Sequence, residues 1–67
     1  MAQGQVTKFL DDRGFGFIRP ADGSTDIFVH AKDLVNRSDL KGGERVEFEI
    51  AIDERRGKPR ATRVRVI

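Results

Sequence analysis

The sequence predicts an all-β domain, a small closed barrel of five short strands. Two observations lead there. Runs of β-branched and aromatic residues alternate with turn residues, and no segment has a useful helical period. The chain is also short: 67 residues give room for one domain, spanning residues 1–67, with one core. Five strands in so few residues cannot form two generous sheets, and closing them into a barrel removes exposed edges.

The first run is Gln3 to Leu10, closed by Asp11-Asp12-Arg13-Gly14. The second is Phe15 to Arg19, stopped by Pro20, with Asp22-Gly23-Ser24 as turn chemistry. The third is Asp26 to His30. Ala31 to Leu40 is polar and irregular, with one helical turn expected near Ala31–Leu34, and Gly42-Gly43 breaks the chain before the next run. The fourth run, Arg45 to Ile52, alternates: Val46, Phe48, Ile50 and Ile52 share one face. Asp53 to Pro59 reads as a hairpin loop around Gly57. The fifth run, Arg60 to Ile67, sets Thr62, Val64 and Val66 against Arg63 and Arg65.

Composition narrows the function. There is no cysteine, hence no disulfide and no thiolate metal site. No apolar run approaches the ~18 residues of a membrane span. The first residues lack the pattern of a signal peptide. A cytoplasmic protein with no membrane partner is expected. The net charge is only +2, but it is unevenly placed. Met1 to Glu54 holds 7 basic and 11 acidic residues, whereas Arg55 to Ile67 holds 6 basic and none acidic. Such segregation fits a polyanion partner. It fits equally a strand edge protected from aggregation by Arg and Lys.

The informative segment is Arg13-Gly14-Phe15-Gly16-Phe17-Ile18. Side chains alternate across a strand, so Phe15 and Phe17 share a face and Ile18 points the other way. Asp26-Ile27-Phe28-Val29-His30 repeats the arrangement, with Phe28 and His30 opposite Ile27 and Val29. Ile18, Ile27 and Val29 can turn inward with Val6, Val46, Phe48, Ile50 and Val64. Phe15, Phe17, Phe28 and His30 then cluster outside. The inverse packing, phenyl groups inside, exposes more apolar surface and buries His30 among the rings. Contiguous exposed rings mark a binding site, and rings at strand spacing make a stacking platform for bases. Lys8, Arg13, Lys58 and Arg60 can neutralise or steer phosphates around them, and Phe9 borders the site. Gly14 turns the chain, and Gly16 removes a side chain between two rings.

At these residues the sequence resembles the cold-shock domain family, over nearly the whole chain. Arg13 to Ile18 looks like that family's first ribonucleoprotein motif and Asp26 to His30 like the second. Gly4-x-Val6, Gly42 to Phe48 and Ala61-x-x-Val64 also fall where the family has them. The resemblance implies a five-stranded antiparallel barrel of the OB type. It also implies RNA-chaperone activity, with roles in transcription antitermination or translation in the cold. The related first motif of RNA-recognition domains belongs to a fold with two helices, for which this chain has neither length nor periodicity.

The chain departs from the family pattern at three places. The usual Trp-Phe pair of the first strand reads Lys8-Phe9, the aromatic after the histidine is Ala31, and Val35 to Leu40 is short and lacks an aromatic. Each missing ring removes roughly 1–3 kcal/mol of stacking. Binding is therefore expected to be weaker, more electrostatic and shorter in footprint than is usual in the family. Strict alternation puts Val6 and Lys8 on one face, whereas the resemblance puts Val6 in the core and Lys8 on the binding surface. A bulge near Thr7 reconciles them.

The function expected is binding of single-stranded RNA or DNA by a monomer, with no cofactor, no metal and no small-molecule substrate. The alternative is a protein-interaction or ribosome-associated OB module using the same aromatic face. No enzyme is expected. His30 is the sole histidine, no carboxylate pair sits in an apolar setting, and no helix follows Gly14-x-Gly16 to make a phosphate loop. Asp11, Asp12 and Asp22 are explained by turn chemistry.

Overall fold

Five strands form where the alternating runs stand: β1 Ala2–Leu10, β2 Phe15–Pro20, β3 Ile27–His30, β4 Arg45–Asp53 and β5 Lys58–Val66. The computed structural model describes residues 2–35, 37, 39–55 and 57–67. Met1, Asn36 and Ser38 of the loop after β3, and Arg56 of the basic C-terminal stretch lie outside the described residues. The strands close into a barrel in the order β1-β2-β3-β5-β4. The ladders β1–β2, β1–β4, β2–β3 and β4–β5 are antiparallel. Closure is made by a short parallel pairing of β3 with β5 through Phe28↔Arg60 and Val29↔Ala61, so the barrel is mixed rather than wholly antiparallel. One 3-10 turn, Ala31–Asp33, follows β3 at the expected place.

The core consists of Val6, Ile18, Ile27, Val29, Leu40, Val46, Phe48, Ala61 and Val64. Ile18, Val29, Val46 and Phe48 are fully buried. The branched aliphatics of β2 and β3 therefore point inward, as alternation requires. The bulge expected near Thr7 is present: β1 pairs Val6 with Ile18 but Lys8 with Phe17. The extra residue puts Val6 inside and Lys8 outside.

Two faces differ from simple alternation. Ile50, expected in the core, and Ile52, expected on the same face, are 52% and 64% exposed. Among the described residues β1 begins opposite Phe48 and β4 beyond that point pairs only with β5, so its inward face has passed the end of the barrel. In β5 the pairing slips between Glu47↔Arg65 and Glu49↔Thr62. Arg63 takes a left-handed backbone with φ of 50° at the slip. This second bulge keeps Val64 and Val66 on the expected face but turns Thr62 outward and Ala61 inward. Leu40, in a polar loop, is buried as well. That loop is pinned at its end by Glu44, which accepts the Lys41 N–H at 2.7 Å and the Arg37 guanidinium at 3.0 and 3.3 Å. The Lys41 amide first, and Arg37 after it, hold the Glu44 carboxyl below the usual glutamate range.

Candidate nucleic-acid interface

Register brings the rings together. Antiparallel β2 and β3 place Phe15 opposite His30 and Phe17 opposite Phe28, and directly opposed residues share a face. The rings of Phe15 and Phe28 are nearly parallel, 29° apart with centroids at 5.5 Å. Phe17 stands edge-on to both, at 6.3 Å from Phe15 and 6.1 Å from Phe28. His30 continues the row, 6.4 Å from Phe28. All four are half-buried: they pack on one another at their edges and leave apolar surface open. The core is complete without them.

These four line a groove of about 860 Å3 together with Lys58, Pro59 and Arg60 of β5, Asp53 at the end of β4, and Thr25 and Asp26 ahead of β3. The parallel closure explains the participation of β5, because Phe28↔Arg60 sets the guanidinium beside the platform. Asp33 holds Arg60 there, with Nη1 and Oδ2 3.5 Å apart. The His30 Nδ1 accepts the Lys32 N–H at 3.3 Å. In the neutral ring the proton then sits on Nε2, which is available as a donor.

Six of the nine residues expected at the site thus meet in one groove: Phe15, Phe17, Phe28, His30, Lys58 and Arg60. Lys8 sits beside it, with Nζ 5.9 Å from the centre of the Phe17 ring, at the reach of a cation–π contact. Arg13 is exposed in the turn between β1 and β2, where its N–H donates to the Leu10 carbonyl at 3.0 Å. It does not line the groove. Phe9 does not line it either, and packs against the core. A Cβ on Gly16 would meet the Lys8 carbonyl oxygen and the Phe9 ring. The bare glycine therefore makes room for β1 and Phe9, not for a gap between Phe15 and Phe17.

Four groove residues were not expected: Thr25, Asp26, Asp53 and Pro59. Asp26 was within reach, since it precedes Phe28 and His30 by two and four residues on an extended segment. Asp53 and Pro59 arrive only through the β4–β5 hairpin, where Asp53 pairs with Lys58 and Ile52 with Pro59. Among the described residues, no group of three or more His, Cys, Asp or Glu is placed to hold a metal ion. Among them, too, no helix is long and apolar enough to cross a membrane.

A closed five-stranded barrel carrying an outward aromatic groove with cations beside it has the architecture of an OB-type domain. The family profile described as 'Cold-shock' DNA-binding domain matches residues 2–67, and the chain belongs to the cold-shock domain family. It is 41% identical over 68 residues to cold shock protein CspA of Rhizobium meliloti, covering 97% of each chain. It is 42% identical over 69 residues to probable cold shock protein A of Mycolicibacterium smegmatis, covering 100% of each. Against cold shock-like protein CspC of Escherichia coli K12 it is 50% identical over 50 residues, 72% of each chain. Among solved structures, drosophila Unr CSD456 superposes with a TM-score of 0.80 at 22% identity, over 98% of this chain and 26% of that one. That likeness is one of fold. Family and relatives together make this chain a nucleic-acid-binding cold-shock protein.

Proposed function

We propose that this protein binds single-stranded RNA or DNA with little sequence preference, stacking unpaired bases on Phe15, Phe17, Phe28 and His30. It acts as an RNA chaperone or a regulator of transcription or translation. It works as one cold-shock domain, monomeric and cytoplasmic, without cofactor or turnover. Lys8, Lys58 and Arg60 neutralise phosphates beside the rings, and Arg13 steers the strand from the neighbouring turn.

The observation that carries this reading is the outward cluster of three phenyl rings with neighbouring centroids 5.5 to 6.3 Å apart. Bases present two flat apolar faces, so such rings accept them whatever their identity. A duplex keeps its bases stacked on one another and cannot use the platform. Three stacks contribute about 3–9 kcal/mol gross, and ordering a flexible strand offsets part of that. A dissociation constant in the micromolar range, around −8 kcal/mol, is expected at low salt.

The test is a titration of labelled oligothymidylate with the parent, Phe15→Ala and Phe28→Ala. Each substitution should weaken binding by about 1–3 kcal/mol, roughly five- to 150-fold, with the fold intact by circular dichroism. Folded variants that bind the oligonucleotide as the parent does would assign the rings to a polypeptide partner instead.

A further inference from the structure

The outward row of β2 does not stop at the platform. Arg19 follows Phe15 and Phe17 at the same alternation, roughly 6.8 Å beyond Phe17 on the same face. At the level of Arg19 the sheet carries a second guanidinium. Gln5 of β1 pairs with Arg19 on one side and with Arg45 of β4 on the other. Adjacent strands lie about 4.8 Å apart, so the two arginines flank Gln5 across about 10 Å of sheet. All three residues are exposed.

Gln5, Arg19 and Arg45 rim a shallow depression whose floor includes Gly4. A Cβ on Gly4 would meet the Arg19 carbonyl oxygen and the core side chain of Ile18, so the glycine lets β1 and β2 close up on the inner side of the sheet.

Among the described residues the two arginines of this depression lack an ion-pair partner. Arg37, Arg60, Arg63 and Arg65 each face a carboxylate. Among the described residues no carboxylate forms an ion pair with Arg19 or Arg45. The residue between them is a neutral amide, whose Nε2 donates to the Gly43 carbonyl at 2.9 Å. Three acids of the adjoining strand and turns have other partners. Glu47 faces Arg65 at 4.0 Å, Asp22 accepts from Ser24, and Glu44 holds Arg37 and the Lys41 amide.

Resting on the platform reading, we propose that Arg19 and Arg45 bind backbone phosphates of the same single strand after it leaves the rings. The footprint then extends across β2, β1 and β4. Two guanidiniums this far apart, on an open and shallow surface, suit a chain of phosphodiesters better than one enclosed anion. The track is continuous with the platform through Phe17 and Arg19 on one strand. It partly compensates for the ring absent at Lys8: charge along the path supplies affinity where stacking does not.

The test compares short and long strands. Oligothymidylates of four and twelve nucleotides are titrated against the parent and the double variant Arg19→Gln/Arg45→Gln, with thermal melts verifying the fold. The tetranucleotide, occupying the rings alone, should bind both proteins within about twofold. For the dodecanucleotide the variant should lose affinity, and its log–log salt slope should fall by about 1.4, at about 0.7 per phosphate contact. The variant-to-parent ratio of dissociation constants is then about sevenfold larger at 50 mM than at 200 mM salt. A double variant matching the parent on the dodecanucleotide overturns the track while leaving the platform in place. Equal losses on both lengths overturn it too, assigning the arginines to the platform itself. Polyglutamate that displaces the dodecanucleotide from the parent, but not from the variant, at equal charge concentration would give the depression to an acidic polypeptide. A parent that binds neither oligonucleotide removes the platform, and the track falls with it.

Discussion

On the proposed reading, the side chain of Lys8 sets the character of the interface. The Thr7 bulge delivers it to the outer face, where its ammonium lies 5.9 Å from the centre of the Phe17 ring. A strand passing there meets a positive charge instead of a flat apolar surface. Lys8→Trp exchanges one for the other. The new ring adds a stack of about 1–3 kcal/mol, and the lost ammonium removes a phosphate contact worth about 0.7 in salt slope for a single strand. The variant should therefore bind oligothymidylate more tightly than the parent at 200 mM salt, with a shallower salt dependence. Since the chain has no tryptophan, quenching of the new indole reports binding directly. Weaker binding at every salt concentration would show that Lys8 contributes more than the ring that replaces it.

Bulges decide which faces the strands present, and β5 carries the less visible one. Arg63 holds φ at 50° where the pairing with β4 slips. A Cβ in the left-handed region costs about 1–2 kcal/mol, and a branched one sits worst. Arg63→Gly should accordingly unfold at higher denaturant than Arg63→Val, by about 1–2 kcal/mol. Both variants lose the exposed Arg63–Glu49 pair, so that contact cancels in the comparison. Equal midpoints would mean that the backbone at Arg63 is not left-handed in solution. The two bulges also explain what the sequence could reveal. The one at Thr7 was legible because Val6 and Lys8 made conflicting demands on one face. The one at Arg63 was not, because Thr62, Val64 and Val66 alternate with Arg63 and Arg65 without contradiction. The strand boundaries and the ring cluster followed from period-two patterning and turn residues. The exposure of Ile50 and Ile52, the burial of Leu40 and the inward packing of Phe9 depend on where the barrel ends and which loop plugs it. Local alternation carries neither. The parallel β3–β5 closure, which draws Lys58, Pro59 and Arg60 into the groove, is likewise tertiary.

At the scale of the whole molecule, the proposed reading makes any action on structured RNA one of mass action. On the proposed reading the protein captures only unpaired bases. A hairpin open for a fraction f of the time then binds with an apparent constant equal to the single-strand constant divided by f. With a single-strand constant of about 1 μM, a hairpin open 10% of the time needs about 10 μM protein for half-opening, and one open 1% of the time about 100 μM. Two fluorophore–quencher hairpins sharing a loop but differing in stem stability measure this directly. The ratio of their half-opening concentrations should be about the inverse of the ratio of their open fractions, without ATP. Phe15→Ala should raise both by the factor it costs on oligothymidylate. A fully paired duplex of the same length should not compete, because its bases are unavailable to the rings. Half-opening at the same protein concentration for both stems would contradict passive capture, since it would require the barrel to bind and distort the closed hairpin.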